Sequence, residues 1–498
     1  IAAETTRTAS DTNKYFQTVL YEGNGAGQRV GAFQPFDNTF TVAKSSLFDD
    51  ANSESLTRSF STPTSVNVWT FSTWLKRGDS TATGVVTLFA GTYNRDLLYW
   101  NSGTYLRTMQ NGVNVLNYGQ YLEDASQWFH VMWTQNGTTA TGYINGVQAV
   151  TATGTNDTIN SSGITHYIGS RATSAAPYDG YLAETVFIDG QALAPSNFGE
   201  VDTSTNRWVP KAVAGLTFGN NGFYLNYADS SAVGNDVSGN NNDWTNNNTV
   251  VQVTDSPTTN IATFNPNSKA SGMVLSNGNR KFVAGTNQNV HGTLALPSTG
   301  KYYWEVNLDT ASSGSIGVFL ALNGGTEAMT TATSGWGTAV ALYRAANGNV
   351  IVDGTSIFTI SGVSAINTTW QVAVDLDNNK MWFGIDNTWM SSTAVTGGNP
   401  STGANPVLER DFSGYFPLFG NYSNTMTVDF DSANWGYTPP TGFVELSQDN
   451  LPGTDQFISA FSWIKNRDAT DNHMLFDRVR GATKDIHSND AAAEVTNV

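Results

Sequence analysis

The sequence predicts an all-β protein made of sandwiches of short antiparallel strands, and three observations predict it. Charged residues are only 13% of the 498, hydrophobic residues 39%, and Gly, Asn, Thr and Ser fill much of the rest. That balance suits sheets joined by polar turns better than helices, which favour Glu, Lys and Ala. Apolar residues recur with period two, most clearly over 126–150 (SQWFHVMWTQNGTTATGYINGVQAV). Asn136-Gly137 and Asn145-Gly146 interrupt that stretch, and Asn-Gly supplies the positive φ angles of a tight hairpin.

The chain divides by pattern into four parts. Residues 1–40 read as an arm, with a strand over 14–21, a turn at 22–27 and a return over 28–33. An isolated hairpin is marginal in water, so the arm needs a neighbour. Residues 41–215 carry strand after strand, at 69–76 (WTFSTWLK), 85–90, 97–100, within 126–150, at 166–169 and at 180–189 (GYLAETVFID). Within 126–150, Trp128, His130 and Met132 alternate with Phe129, Val131 and Trp133, so both faces of that strand are covered, as at the centre of a sandwich. Residues 216–446 form a second sandwich with an Asn-rich lead-in to about 250. Its strands fall within 300–309 (GKYYWEVNLD), 372–390 (VAVDLDNNKMWFGIDNTWM) and 415–430 (YFPLFGNYSNTMTVDF). Residues 447–498 change character and form a smaller C-terminal module.

Several function classes drop out. The net charge is −17 with no basic stripe, against nucleic-acid binding and against anionic membranes. No apolar run is long enough to span a bilayer. Cys is absent, which removes disulfides, Cys metal sites and Cys nucleophiles and points away from secreted eukaryotic modules. The sequence opens on Ile1, as expected of a processed chain or a partial reading frame.

Four motifs, WLKRG (74–78), QWFHVMWTQNGTTATGYINGVQ (127–148), HYIGS (166–170) and DGYLAETVFIDGQALAPSNF (179–198), together resemble a laminin-G-like domain. The resemblance implies a concanavalin-type jelly roll that binds glycans or proteins or is purely structural. The motifs of the second unit, in their order, resemble a SPRY domain, another concanavalin-like sandwich. Thus the expected fold is two concanavalin-like jelly-roll β-sandwiches in tandem with small terminal modules. Residues 435–452 (WGYTPPTGFVELSQDNLP) resemble the linker closing such units in marine-phage proteins, stiffened by Pro439-Pro440. The segment FISAFSWIKNRDATDNHMLFDRVRGATKDIHSND resembles a module of phage virion proteins. That module usually opens with a segment like residues 15–35, so strands 15–21 and 457–465 are expected to pair. The combination resembles a tail-fibre or other appendage protein of a tailed phage. It implies location on the virion, partners among virion proteins and a homo-oligomer, often a trimer. It also implies adhesion to a host-surface glycan.

A catalytic centre is not assigned. Glu305 and Asp309 lie four residues apart on one strand, roughly 13 Å, too far for a glycosidase pair. Asp375 with Asp377 and Asp429 with Asp431 stand roughly 6.6 Å apart, a spacing that inversion allows, but turn and rim positions make them solvated carboxylates. Glu184 and Asp189 point to opposite faces. His130, His166, His291, His473 and His487 are dispersed without a metal pattern, and His130 reads as a satisfied sheet residue. Neither G-x-S-x-G nor a phosphate loop is present. The D-x-S-G-N-x-N-D stretch reads first as an Asx turn, and Asp236, Asn240 and Asp243 are candidate Ca²⁺ ligands only second, because no bidentate Glu follows. No cofactor is expected. Loop aromatics at Tyr93, Tyr105, Trp336, Trp389 and Trp435 are candidates for stacking on a sugar, with packing as the plainer reading. The runner-up functions are a concanavalin-type polysaccharide-degrading enzyme and a bacterial adhesin.

Overall fold

The computed structural model describes residues 40–452 except 79–84, 92–94, 102–104, 155–158, 203–206, 311–315, 322–341, 345–348, 353–354, 360–367, 423–424 and a few single positions. Beyond 452 it describes the strands Phe461–Ile464, Met474–Asp477, Lys484–His487 and Val495–Thr496. The expected pairing of 15–21 with 457–465 lies outside the described residues.

Among the described residues the chain is all-β, with strands and short 3₁₀ turns. The first sandwich stacks an eight-stranded sheet on a seven-stranded one. The strand Val68–Arg77 sits near the middle of the larger sheet, between Phe129–Asn136 and Gly180–Asp189. Thr139–Ile144 and Val147–Thr153 extend that sheet through the two Asn-Gly turns. Gly137 and Gly146 adopt φ of 60° and 79°, and Asn145 is also left-handed at 48°. Period-two alternation sends Phe71, Leu75, Val131, Trp133, Leu182 and Phe187 into one core with Leu88, Phe89, Leu98 and Trp100 of the opposite sheet. Its rings interlock, with Phe71 stacked on Phe89 at 4.5 Å and Trp69 edge-on to Trp133 at 4.7 Å. Each such side chain contributes about 1.5–3 kcal/mol on burial.

The Asn-rich stretch corrects an expectation. Phe223–Leu225 pairs with Gly180–Asp189, Thr245–Asn247 with Ser55–Ser59, and Val251–Val253 with Ser45–Phe48. Residues 223–253 therefore complete the first sandwich and do not lead into the second. The physical reason is that three short strands supply the outer members that its two sheets otherwise lack, and Phe223, Leu225, Trp244 and Val250 fill its core.

The second sandwich stacks a four-stranded sheet on an eight-stranded one. In the larger sheet Lys301–Thr310 lies between Thr425–Asp429 and Thr369–Asp375, followed outward by Lys380–Ile385 and Thr388–Trp389. Tyr302, Trp304 and Val306 face its core with Val372, Val374, Met381 and Phe383. The intervening residues face the outside of the sheet. Residues 435–452 are not a linker: Phe443 is buried on that outer face, Leu446 and Leu451 enter the core, and Val444 bridges Tyr302 in parallel. Phe443, Leu446 and Leu451 give the segment apolar surface to bury, and Tyr303 N donates to Val444 O at 2.9 Å.

The two sandwiches meet over a sealed polar junction. Lys76 is 1% exposed; its Nζ donates to Asp255 Oδ2 at 2.8 Å, to Asn260 Oδ1 at 3.0 Å and to Ile261 O at 2.7 Å. Asp255 also accepts from Trp128 Nε1 and from Ile261 N, each at 3.1 Å. Trp128 thus packs at this junction beside Trp74 and Tyr181. Burial pushes the Lys76 ammonium down and the Asp255 carboxyl up, and their mutual attraction and hydrogen bonds oppose both shifts. Farther along the same seam, Tyr181 Oη donates to Gly278 O and Gly278 N donates to Asp179 Oδ1, each at 2.8 Å.

Candidate functional site

The outer face of the eight-stranded sheet of the second sandwich gathers two of the five named aromatics. Trp435 meets Tyr303 edge-on at 4.7 Å, and Trp389 lies 6.3 Å from the same ring. Both indoles are half-buried, whereas Tyr303 is fully covered. Tyr303 reaches this face because it alternates with core-facing Tyr302 and Trp304. Trp389 reaches it through the tight turn at Asp386 and Asn387, whose φ values are 46° and 62°.

A polar network lies beneath the indoles. Tyr303 Oη donates to Glu305 Oε1 at 2.6 Å and accepts from Gln371 Nε2 at 2.8 Å. Glu305 is 1% exposed and accepts from Gly436 N at 2.7 Å and Tyr437 N at 3.0 Å, which straps the aromatic segment to the sheet. Asn387 N donates to Gln371 Oε1 at 2.6 Å, and Tyr437 Oη donates to the exposed Asp386 at 3.3 Å. Burial, with Glu305 next to it, pushes the Tyr303 phenol well above its ordinary range. Chemically, the arrangement offers two apolar plates beside exposed hydrogen-bonding groups, which is what a pyranose ring presents in complement.

The other named aromatics do not join it. Tyr105 is half-buried at the edge of the first sandwich, and Tyr93 and Trp336 lie outside the described residues.

The named carboxylates are distributed differently from the expectation. Asp375, Asp429 and Asp431 are buried, not solvated, and only Asp377 is exposed. Asp375 pairs with Lys301 at 2.9 Å, Asp429 with Arg280 at 2.7 Å, and Asp431 accepts from Thr254 Oγ1 at 2.5 Å. Asp377 accepts from Gly300 N, and Asp309 pairs with Lys281. Sequence shows a turn but not what covers it, so these positions look solvated from sequence alone. The pair that sequence spacing misses is Glu305 with Asp429, which stand directly opposite each other on neighbouring strands. Only strand register brings them together, and both are sealed beneath Trp435, whose Nε1 donates to Asp429 O at 2.9 Å.

Glu184 occupies a bulge in Gly180–Asp189 with φ 49° and is hydrogen-bonded by Tyr224 Oη. Burial pushes it up to about 7. Asp189 accepts instead from Thr64 N, Ser65 N, Asn160 Nδ2 and Asn221 N, so the two acids serve different parts of the fold. His130 lies against Ser72 Oγ at 2.8 Å and accepts from Trp208 Nε1 at 3.1 Å, a satisfied sheet histidine pushed down to about 3 by burial. His166 and His291 are buried, with ring nitrogens at Ile159 O and Ser268 Oγ. His473 and the side chain of His487 lie outside the described residues.

The Asx-turn reading matches the geometry of the Asn-rich loop. Asp236 accepts from Tyr224 N, Ser238 N and Asn242 N, Asp243 accepts from Asp236 N, and Asn240 Nδ2 donates to Gly219 O and Gly222 O. Both carboxylate oxygens of Asp236 are thus taken up by donors within the turn. Among the described residues one acidic group, Asp49, Asp50 and Asp179, has ligand atoms within 4.8 Å of one another. Asp49 and Asp179 accept there from Asn277 N and Gly278 N, across the seam between the sandwiches.

Residues 49–196 match the family described as the Concanavalin A-like lectin/glucanases superfamily. That segment is similar to laminin-G-like, concanavalin-type domains. Residues 447–498 match a domain of unknown function, DUF7483. No curated protein matches the chain. Similar solved structures include the SPRY domain of human HERC1, 17% identical, covering 34% of this chain and 98% of that one at a TM-score of 0.25. A putative carbohydrate binding protein from Bacteroides ovatus is 17% identical and covers 43% and 60%, with a TM-score of 0.32. Domains LG4-5 of the mouse laminin alpha1 chain are 8% identical and cover 91% and 93%, with a TM-score of 0.28.

Proposed function

We propose that this protein is a non-catalytic adhesin of a phage particle, in which the concanavalin-type sandwiches present a glycan-binding face as part of a homo-oligomeric appendage. The observation that carries the glycan reading is the pair Trp389 and Trp435, both half-buried and both against the Tyr303 ring, with Asp386 and Asn387 exposed nearby. The virion setting rests on the order of sequence motifs. Isothermal titration against a panel of oligosaccharides tests the binding, and Trp389→Ala and Trp435→Ala are each expected to weaken it about tenfold, the worth of one lost stacking contact. Immunogold labelling of purified particles tests the setting, with label on projecting fibres expected and its absence from particles contradicting it.

A second reading, polysaccharide hydrolysis, is favoured by one observation, the opposed Glu305 and Asp429. Incubation of long oligosaccharides with wild type and Glu305→Gln decides it. Reducing ends released only by the wild type would establish hydrolysis; intact sugars leave adhesion.

A further inference from the structure

From the charges around the indole pair we infer the ligand class: the face takes neutral or amino sugars and rejects uronic, sialic and sulfated ones. This deepens the adhesion reading and rests on it. Four basic side chains on or beside this sheet face are already engaged. Lys301 pairs with Asp375, Lys281 with Asp309 and Arg280 with Asp429, while Lys380 Nζ donates to Gly403 O at 2.8 Å. Lys301 also lies over the Phe443 ring, at 5.8 Å.

The acids are not balanced in the same way. Glu305 is held by the N–H groups of Gly436 and Tyr437 and by the Tyr303 hydroxyl, none of them charged. Asp386 stands exposed at the rim and receives Thr369 N and Tyr437 Oη. Among the described residues, the carboxylate exposed at the rim of the indoles, Asp386, is met by N–H and O–H donors and not by a cation, on a chain of net charge −17. An anionic sugar stacked on Trp389 and Trp435 would meet Asp386 without an arginine fork to receive its carboxylate. A hydroxymethyl group at the same ring position meets no such repulsion, and a protonated amine gains an acceptor.

The test uses the full chain and three probes of equal length and matched β-1,4 linkage: a mannose oligomer, the corresponding mannuronate oligomer and a glucosamine oligomer. Affinity is measured by titration at low and at high NaCl. The expected result is binding of the mannose oligomer with little dependence on salt. The mannuronate should bind about tenfold more weakly at low salt, with the gap closing as the screening length shortens from about 30 Å to about 3 Å. The glucosamine oligomer should bind more tightly at low salt. Asp386→Asn should narrow the mannose-to-mannuronate ratio, whatever it does to absolute affinity. Mannuronate binding equal to or tighter than mannose, reduced by Trp389→Ala, would overturn the charge selection and leave the site standing. Failure of all three sugars to bind, or binding insensitive to both tryptophan substitutions, would overturn the site itself and the selection with it.

Discussion

Glu184 shows what a single buried side chain does to the pH dependence of the fold. Its folded carboxyl is raised from 4.5 to about 7 by burial, with the Tyr224 hydroxyl opposing in part. Between those values the native state holds a proton that the unfolded chain has released, so stability falls as pH rises through this window and the loss is complete above it. The size is on the order of 3 kcal/mol. His130 works the other way: lowered from 6.5 to about 3, it contributes stability above 6.5 that is lost as pH falls toward 3. Glu184→Gln isolates the first effect. Urea unfolding at pH 5 and pH 8 should show the variant gaining on wild type by on the order of 3 kcal/mol at the higher pH, and an equal difference at both values would refute the assignment. At this scale the sequence was legible where a role is local. His130 on an alternating strand and the Asx turn at Asp236 follow from neighbours a few residues away. Asp429, Asp375 and Glu305 did not, because their partners Arg280, Lys301 and Tyr437 come from other strands or loops.

The elements were read more fully than their contents. Residues 85–90 and 180–189 match strand bounds, and 69–76 falls one residue short at each end. Long period-two runs bounded by Gly and Asn leave little alternative. Three-residue strands such as Val251–Val253 carry no period of their own and exist only through the partner they pair with, so sequence alone does not show which sandwich the lead-in joins. Turn chemistry is equally decisive in the hairpin after Ile144. Gly146 has φ 79°, and a Cβ there would stand 2.5 Å from the Trp208 ring. Gly146→Ala therefore combines left-handed strain with overpacking and should cost about 3 kcal/mol. A melting-temperature drop with a red-shifted tryptophan emission checks it; an unchanged spectrum would mean that Trp208 does not rest on this turn.

For the whole molecule, the junction around Lys76 decides whether the sandwiches act as one body. Its partner Asp255 lies 179 residues away, a relation that no local pattern in the sequence announces. Lys76→Ala leaves the Asp255 carboxylate buried without its cation and should cost about 3–5 kcal/mol. Calorimetry of the wild type should show one cooperative transition across both sandwiches, and the variant two. A single transition in both proteins would mean that the remaining seam contacts suffice.

The same junction has a mechanical consequence. A protein that grips a surface while its other end is fixed must carry load between the two. Here the path from the strand Val68–Arg77 to the second sandwich runs through a lysine with three short hydrogen bonds and a seam closed by Tyr181 and Gly278. Tension applied at the Trp389 face reaches the first sandwich through these bonds without a flexible tether to absorb it. Under shear, the seam is expected to yield before either sheet unravels.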